Sequence, residues 1–597
     1  MEKIQTKTKC LEPEKFPKDH VLISTLSTSH VSKSLANSHM TAIDVDRDST
    51  ELPVAHMEEM LVNQLETKTS ESITTPIRSE VLDHYLDGYD PEDRKFLVDG
   101  FRYGFNLYCT LTKLSTTAKN DVSVNLHPEA AQQLIQAEVD KGRIRGPYDR
   151  PPFDVYHISP FKLVEKKIPN TWRPIINLSY PYDDTSVNAN IPREFCSVKY
   201  ATIIDAIKLI QKVGKNCLMQ KSDIQSAFRI VPIAAECHKF LCFKFKDKFY
   251  HDTCLAMGAS CSCFIFEKFS TALEWILKNK FNVPNCLHIL DDFFWVNINT
   301  VMAAYCKKSW FKLTNDVQVP ISLPKTTEAD YVCIFSGIEF DSVNMMAQLP
   351  LDKLRKYGEA INIMLKFRKT TLQNMQSIIG CLQYATTVVS PGRAFLRRLI
   401  DLTIGIKKPY HRVTLNTGAK DDLRMWQKFL LNHNGKSLIS AFQKTDSDKI
   451  KLGSDASKMA CAAVFGKKWF VIKFPLSWQV KNIAYLELFP IIIAIKVWGH
   501  LMSHAEILFL TDNEAISKVI NKYSCKEQGI MALIRTLVLS CMEHDILFSS
   551  KHISGKLNVL PDKLSRLQVS QKLLKSFNMN MEPDEIPEML LPENWID

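Results

Sequence analysis

A chain of 597 residues with 45% hydrophobic residues can bury large cores and should hold roughly three or four domains, which excludes a wholly disordered polymer. Its formal net charge of +10 is unevenly placed: residues 1–80 hold nine Lys/Arg against thirteen Asp/Glu (9 − 13 = −4), leaving +14 for the remainder. A basic body of this size suits a polyanionic partner. Sixteen cysteines lie scattered without Cys-x-x-Cys spacing, which points to a reducing compartment. No secretory signal is expected at the start. No apolar run reaches about 18 residues, so no membrane span is expected.

In chain order, residues 1–80 contain one aromatic, Phe16, and no glycine; such a polar, acidic segment is expected to be disordered. Structure is expected from about Val81, with Phe96-Leu-Val-Asp-Gly-Phe-Arg-Tyr-Gly-Phe105 as a first aromatic cluster. Ala131, Leu134, Ile135 and Val139 share one face of a helix predicted over His127–Lys141. Val164 to Leu178 reads as a hairpin with a Pro-Asn turn that brings Lys166 and Arg173 close; the pair suits a triphosphate, or is a solvated surface. Gln220-Lys-Ser-Asp-Ile-Gln-Ser-Ala-Phe228 places Asp223 at a strand end and Phe228 on the turn that follows. Cys237 and Cys242 read as buried thiols rather than zinc ligands. The small residues after Met257, through Cys263, lead into a helix expected to run to about Asn279 and leave room for a base pair.

Asp291 and Asp292 then sit side by side between two apolar runs, Cys286 to Leu290 and Phe293 to Val296. A strand pair with both acids at its turn brings like charges within a few ångströms. Such charges repel unless protonated or bridged by a cation, and hard oxygen donors suit Mg²⁺. Alone, the pair could equally be an exposed hairpin turn. A helix-rich stretch from Leu351 to Ile404 follows, in which Arg393, Arg397 and Arg398 either contact phosphates or form a solvated face. A polar zone near Asn432–Asp448 precedes the last domain. There, strand, helix, strand and helix are expected to carry Asp455, Glu487, Asp512 and Asp562. Glu487 is expected in a first helical turn, and His552 in a loop of the form His-x-x-Gly-x-x-Asn. Each acid alone has a bland reading as a helix-start or turn residue.

Four of these segments, Val164 to Leu178, Gln220 to Phe228, the small-residue entry after Met257 and the Asp291-Asp292 hairpin, resemble in order and spacing motifs 2, A, B and C of reverse transcriptases. The resemblance implies that Asp223, Asp291 and Asp292 hold two Mg²⁺ (Mn²⁺ being an alternative). It further implies that Lys166 and Arg173 grip the incoming triphosphate, and that Phe228 excludes a 2′-hydroxyl. Lys325, in Leu323-Pro-Lys-Thr326, falls at the motif D lysine, a candidate general acid, and Phe335-Ser-Gly-Ile-Glu-Phe340 at the primer grip. Two positions depart from the family: Ile289 replaces an aromatic residue, and Met257 a Gln or Phe. Both are expected to tune fidelity. The last domain is similar to ribonuclease H, which implies that Asp455, Glu487, Asp512 and Asp562 bind two Mg²⁺ and that His552 assists water delivery or product release.

The expected fold class is therefore α/β (α+β): a right-hand polymerase with fingers and palm over 81–345 and thumb and connection helices over 346–445. A ribonuclease H-like mixed-sheet domain over 446–570 and a tail over 571–597 complete it. Gly100-Phe-Arg-Tyr-Gly-Phe105, Lys141-Gly-Arg-Ile-Arg-Gly-Pro147, Leu178-Ser-Tyr-Pro181 and Val389 to Leu399 resemble the DIRS-type (tyrosine-recombinase) retrotransposon enzymes. This likeness covers about residues 81–568. It implies an RNA template, a DNA primer, dNTPs and an RNA/DNA hybrid as partners, no membrane, and an intracellular setting in cytoplasm or nucleus. The chain shows no Asp-Thr/Ser-Gly protease motif, zinc-knuckle array, integrase-like cluster or recombinase. The alternative is a host-retained nucleic-acid-binding derivative with dormant chemistry.

Overall fold

The computed structural model describes residues 73–112, 117–166, 168–434 and 449–595. Most of the acidic head, and all but the first three residues of the polar zone at 432–448, lie outside that set. The described chain divides into two compact units. One comprises residues up to Tyr200 with Ile224–Ile276 and Phe311–Ile321; the other comprises Ala201–Asp223, Leu277–Trp310 and the chain from Ser322 onward.

In the first unit, the described end of the acidic head, residues 73–80, includes folded structure where disorder was expected. Thr75 Oγ1 donates to the Ile230 carbonyl at 2.6 Å, and a helix starts at Ser79. Pro91–Tyr103 is helical for local reasons: the Asp90 side chain accepts from Asp93 N, Pro91 fills a position that needs no N–H, and Gly104 ends the helix at φ +90. Its aromatic face packs Phe101 edge-on to Phe105 at 5.1 Å and to Phe269 at 4.7 Å. Pro128–Asp140 is the next long helix, burying Ala131 and Ile135. Phe161–Glu165 and Trp172–Ile176 pair as an antiparallel hairpin, and a second sheet orders Ile144–Tyr148, Lys248–Asp252 and Cys242–Phe245 side by side. Cys237 and Cys242 are buried thiols, their pKa values pushed up by burial to about 11 and about 12.

The second unit contains two sheets that matter for function. The first orders Leu218–Asp223, Asp292–Asn297 and Cys286–Ile289, all antiparallel, with the Asp292 strand in the middle. Both faces of that middle strand are covered, which is why it reads as a continuous apolar run. Phe293 packs on Trp310 at 4.5 Å, while Phe294 stacks on Phe335 at 4.7 Å from the other side. The helices Leu351–Lys366 and Leu372–Ala385 follow, as expected for the helix-rich stretch to Ile404, and the helix Thr417–Asn432 lies beyond it.

The second sheet has five strands in the order Lys468–Lys473, Ala460–Phe465, Ile450–Ala456, Glu506–Thr511, Leu547–His552. The first three are antiparallel and the last three parallel. The helix Ile483–Trp498 lies on the central strands with eleven buried residues, including Pro490. Residues Ile483–Met502 are long and apolar enough to cross a membrane, but 67% of the qualifying window is buried inside this domain. Burial of most of its residues in this domain accounts for a helix that is apolar nearly all round. Residues 571–595 pack onto the same domain: Trp469 Nε1 donates to the Asn580 carbonyl at 2.9 Å, Asp584 accepts from Trp498 Nε1 and Lys468 Nζ, and Trp595 meets Phe489 edge-on at 5.0 Å.

Candidate active sites

The front site is built on the three-stranded sheet. Leu218–Asp223 and Asp292–Asn297 are aligned so that Asp223 is the register partner of Asp292. Leu290 and Asp291 form the tight turn to the neighbouring strand, with Leu290 held at φ +53. A leucine seldom adopts that left-handed conformation, so the turn stores a modest strain that its two buried flanking strands sustain. Asp292 is pushed up to about 6, first by burial and, against the opposing Lys221 charge, by the carboxylates of Asp223 and Asp291. The hairpin expected as a primer grip turns at Ser336 and Gly337. It reaches this site, where Ser336 N donates to Asp292 Oδ2 at 3.4 Å. Tyr384 Oη in turn donates to the Ser336 carbonyl at 2.7 Å.

Lys325 belongs to the same site. Its ammonium donates to both Asp223 oxygens, at 2.9 and 2.8 Å. The segment carrying it is stitched to the Asp223 strand: Ser322 N donates to the Asp223 carbonyl and Thr327 N to that of Lys221. The motif D resemblance places Lys325 in the site, but nothing in the sequence indicates that Asp223 is its partner.

Lys166, Arg173, Phe228 and Met257 lie in the first unit. Lys166 is exposed at the hairpin end and Arg173 is half-buried opposite Val164, with Asn170 turning at φ +59. Phe228 stands edge-on to Phe266 at 5.5 Å. The next residue, Arg229, anchors that turn through Glu138 at 2.9 Å and Asp252 at 2.7 Å. Met257 occupies a turn ahead of the helix Ser262–Lys280. Its neighbour Gly258 has a structural reason of its own to be small. At φ +142, an added Cβ would lie 2.5 Å from the Ile176 carbonyl oxygen, so the gap there admits the hairpin's backbone.

The rear site lies on the five-stranded sheet. Asp455 is buried on the central strand, and Asp512 follows directly on the parallel strand Glu506–Thr511. Glu487 falls just past the first helical turn, because its helix starts at Ile483. His552 is the last residue of a strand rather than part of a loop, and its Nε2 lies 3.1 Å from the Asp512 carbonyl. The Gly555 loop closes over Asp512, with an added Cβ falling 3.3 Å from Oδ2. Asp562 sits in the short helix Val559–Ser565. Burial pushes Glu487 up to about 7, with the charges of Asp512 and Asp455 adding to the shift and hydrogen bonds from Asn513 and Thr511 opposing it. Burial likewise pushes Asp455 up to about 6, with the charges of Asp512 and Asp562 adding to it and a hydrogen bond from Ser565 opposing it.

Both sites therefore concentrate carboxyl groups whose mutual repulsion a divalent cation would relieve, and all-carboxylate donors fit Mg²⁺ or Mn²⁺. Among the described residues, no three His, Cys, Asp or Glu side chains are already drawn together as an ion's ligands. Three of the acids are turned to other partners: Asp223 to Lys325, Asp455 to Ser565 at 2.5 Å, and Asp562 to Arg566 at 2.7 Å. Side-chain rotation is needed to close either set.

Arg397 and Arg398 are partly exposed and each is engaged in an ion pair. Arg397 pairs with Asp401, and Arg398 Nη1 reaches the buried Asp422 at 3.2 Å. Arg535, 8% exposed, approaches the same carboxylate at 3.6 Å. Arg393 remains exposed.

The strand orders and registers define a three-stranded antiparallel sheet that carries one set of acids and a five-stranded mixed sheet that carries the other. No family profile and no curated protein sequence matches the chain. Among solved structures, it is similar to the foamy viral protease–reverse transcriptase dRH in complex with double-stranded DNA, at 16% identity and TM-score 0.45, over 82% of this chain and 84% of that one. The foamy viral protease–reverse transcriptase bound to an RNA/DNA hybrid aligns at 15% identity and TM-score 0.44, over 91% and 67%.

Proposed function

We propose that the chain is an RNA-directed DNA polymerase with ribonuclease H activity, from a DIRS-type retrotransposon. The observation that carries the reading is the pair of acid sets: Asp223 opposite Asp292 with Asp291 in the adjoining turn, and four acids around one five-stranded sheet. The lineage rests on the four sequence stretches quoted above.

In the polymerase half, Asp223, Asp291 and Asp292 are the ligands for Mg²⁺. Bound there, Mg²⁺ favours ionisation of a primer hydroxyl and neutralises triphosphate charge. Lys166 and Arg173 fix the dNTP triphosphate, Phe228 bars a ribose 2′-hydroxyl, and Met257 shapes the space for the new base pair. Lys325 supplies a cation, and a proton, to the departing pyrophosphate. In the rear half, Asp455, Glu487, Asp512 and Asp562 are the Mg²⁺ ligands for hydrolysis of the RNA strand of a hybrid, and His552 orients the attacking water or assists product release. An RNA/DNA hybrid offers shape and 2′-hydroxyls for recognition. The setting is intracellular, in cytoplasm or nucleus.

Extension of a DNA primer on an RNA template with dNTPs and Mg²⁺, scored beside degradation of a labelled hybrid, tests both halves. Binding of primed template without either reaction would favour the host-retained, dormant derivative instead.

A further inference from the structure

Asp223 has a cationic partner in direct contact, Lys325, and that partner is built into the site. The loop Ser322–Thr327 runs along the Asp223 strand. It is held there by Ser322 N on the Asp223 carbonyl at 2.8 Å, Thr326 Oγ1 on Ser222 Oγ at 2.9 Å, and Thr327 N on the Lys221 carbonyl at 3.0 Å. These bonds fix the backbone of Lys325 but not its side chain. The ammonium grips both carboxylate oxygens while its side chain stays 63% exposed; the carboxylate end is 13% exposed. An ion pair so open at one end is weak and readily exchanged. A divalent ion shared with Asp291 and Asp292 carries more charge and needs those same oxygens.

We propose that Lys325 is a resident counter-ion for Asp223, displaced when a divalent cation takes the carboxylate. Loading of the ion and release of the ammonium are then one event. The side chain becomes available to an incoming anionic phosphate only once the site is charged. No covalent change is involved, only an exchange of cations on one carboxylate. The inference rests on the polymerase reading of this site.

The test is amine labelling of the full chain with an N-hydroxysuccinimide ester across a Mn²⁺ titration, read by peptide mass spectrometry. Exposed Lys572 serves as the internal reference. Modification of Lys325 relative to Lys572 should rise about three- to tenfold as Mn²⁺ saturates. In Asp223→Asn it should be high from the outset and indifferent to the metal. Mn²⁺ binding is followed in parallel by electron paramagnetic resonance, in wild type and in Asp292→Asn. Binding that Asp292→Asn removes, with flat Lys325 labelling in the wild type, would overturn the counter-ion exchange alone. No Mn²⁺ site sensitive to Asp292→Asn would overturn the polymerase reading and this inference together.

Discussion

Asp223 and Asp292 are direct register partners across two antiparallel strands. Such partners project their side chains from the same face, with Cα atoms about 4.5–5.5 Å apart. Two carboxyls are thus fixed as neighbours by hydrogen-bonded backbone. Replacing Asp291 and Asp292 with Asn should lower primer extension by at least about 10²-fold, the scale of losing a charge-stabilising group, while hybrid cleavage persists. Extension at wild-type rate by the double variant would refute the assignment.

Glu487 gives the rear site a distinct signature. Its folded pKa of about 7 lies above the ordinary value of 4.5, so its contribution to stability is full below about 4.5 and is lost as pH rises through 7. Glu487→Gln carries no charge at any pH. At pH 8 in chelator it should therefore be more stable than wild type, on the order of 1–3 kcal/mol, with hybrid cleavage lost and extension kept. Calorimetry and the paired assays read both effects, and a destabilised variant at pH 8 contradicts the burial account.

Divalent ions must also compete with protons for the raised carboxyls. The Mn²⁺ concentration that half-saturates hybrid cleavage should rise as pH falls from 8 to 6, because Glu487 and Asp455 take up protons across that interval. A pH-independent midpoint would be inconsistent with carboxyls of pKa about 7 and about 6 as ligands.

Asp422 joins Arg398 and Arg535 in a buried cluster. Asp422→Ala leaves Arg535 without its counter-charge and should cost about 3–5 kcal/mol, visible as early thermal unfolding or faster proteolysis. Burial holds Asp422 at about 6 despite both arginines. Its own contribution therefore favours the folded state most below about 3.8 and falls away as pH rises through 6.

Phe228 stands edge-on to Phe266. Phe228→Ala should raise incorporation of rNTPs relative to dNTPs by about tenfold or more, measured as a ratio of kcat/KM values. An unchanged ratio would remove Phe228 from substrate selection.

Much of this architecture is legible in the sequence because strand-borne acids end apolar runs. Asp291 and Asp512 each stand at such an end, and turn chemistry marks the hairpin at Asn170. Contacts between distant segments leave no such trace. Asp422, 1% exposed, lies on an amphipathic helix where its charge looks like any surface acid. Lys325 is 102 residues from Asp223, and only a loop zipped along the strand brings them together. The displaced helix start at Ile483 has a local cause: Asn482 caps it, accepting from Ala484 N, and shifts Glu487 out of the first turn.

Where the ribonuclease H-like motifs stop is not where the domain's packing stops. A truncation placed at residue 570, the natural choice from those motifs, would strip away the carbonyl of Asn580 and the carboxylate of Asp584. The indoles of Trp469 and Trp498 would lose their acceptors, and Phe489 would be uncovered. Expression designs that keep everything through Trp595 preserve the lining of that fold; shorter ones invite insolubility that has nothing to do with chemistry.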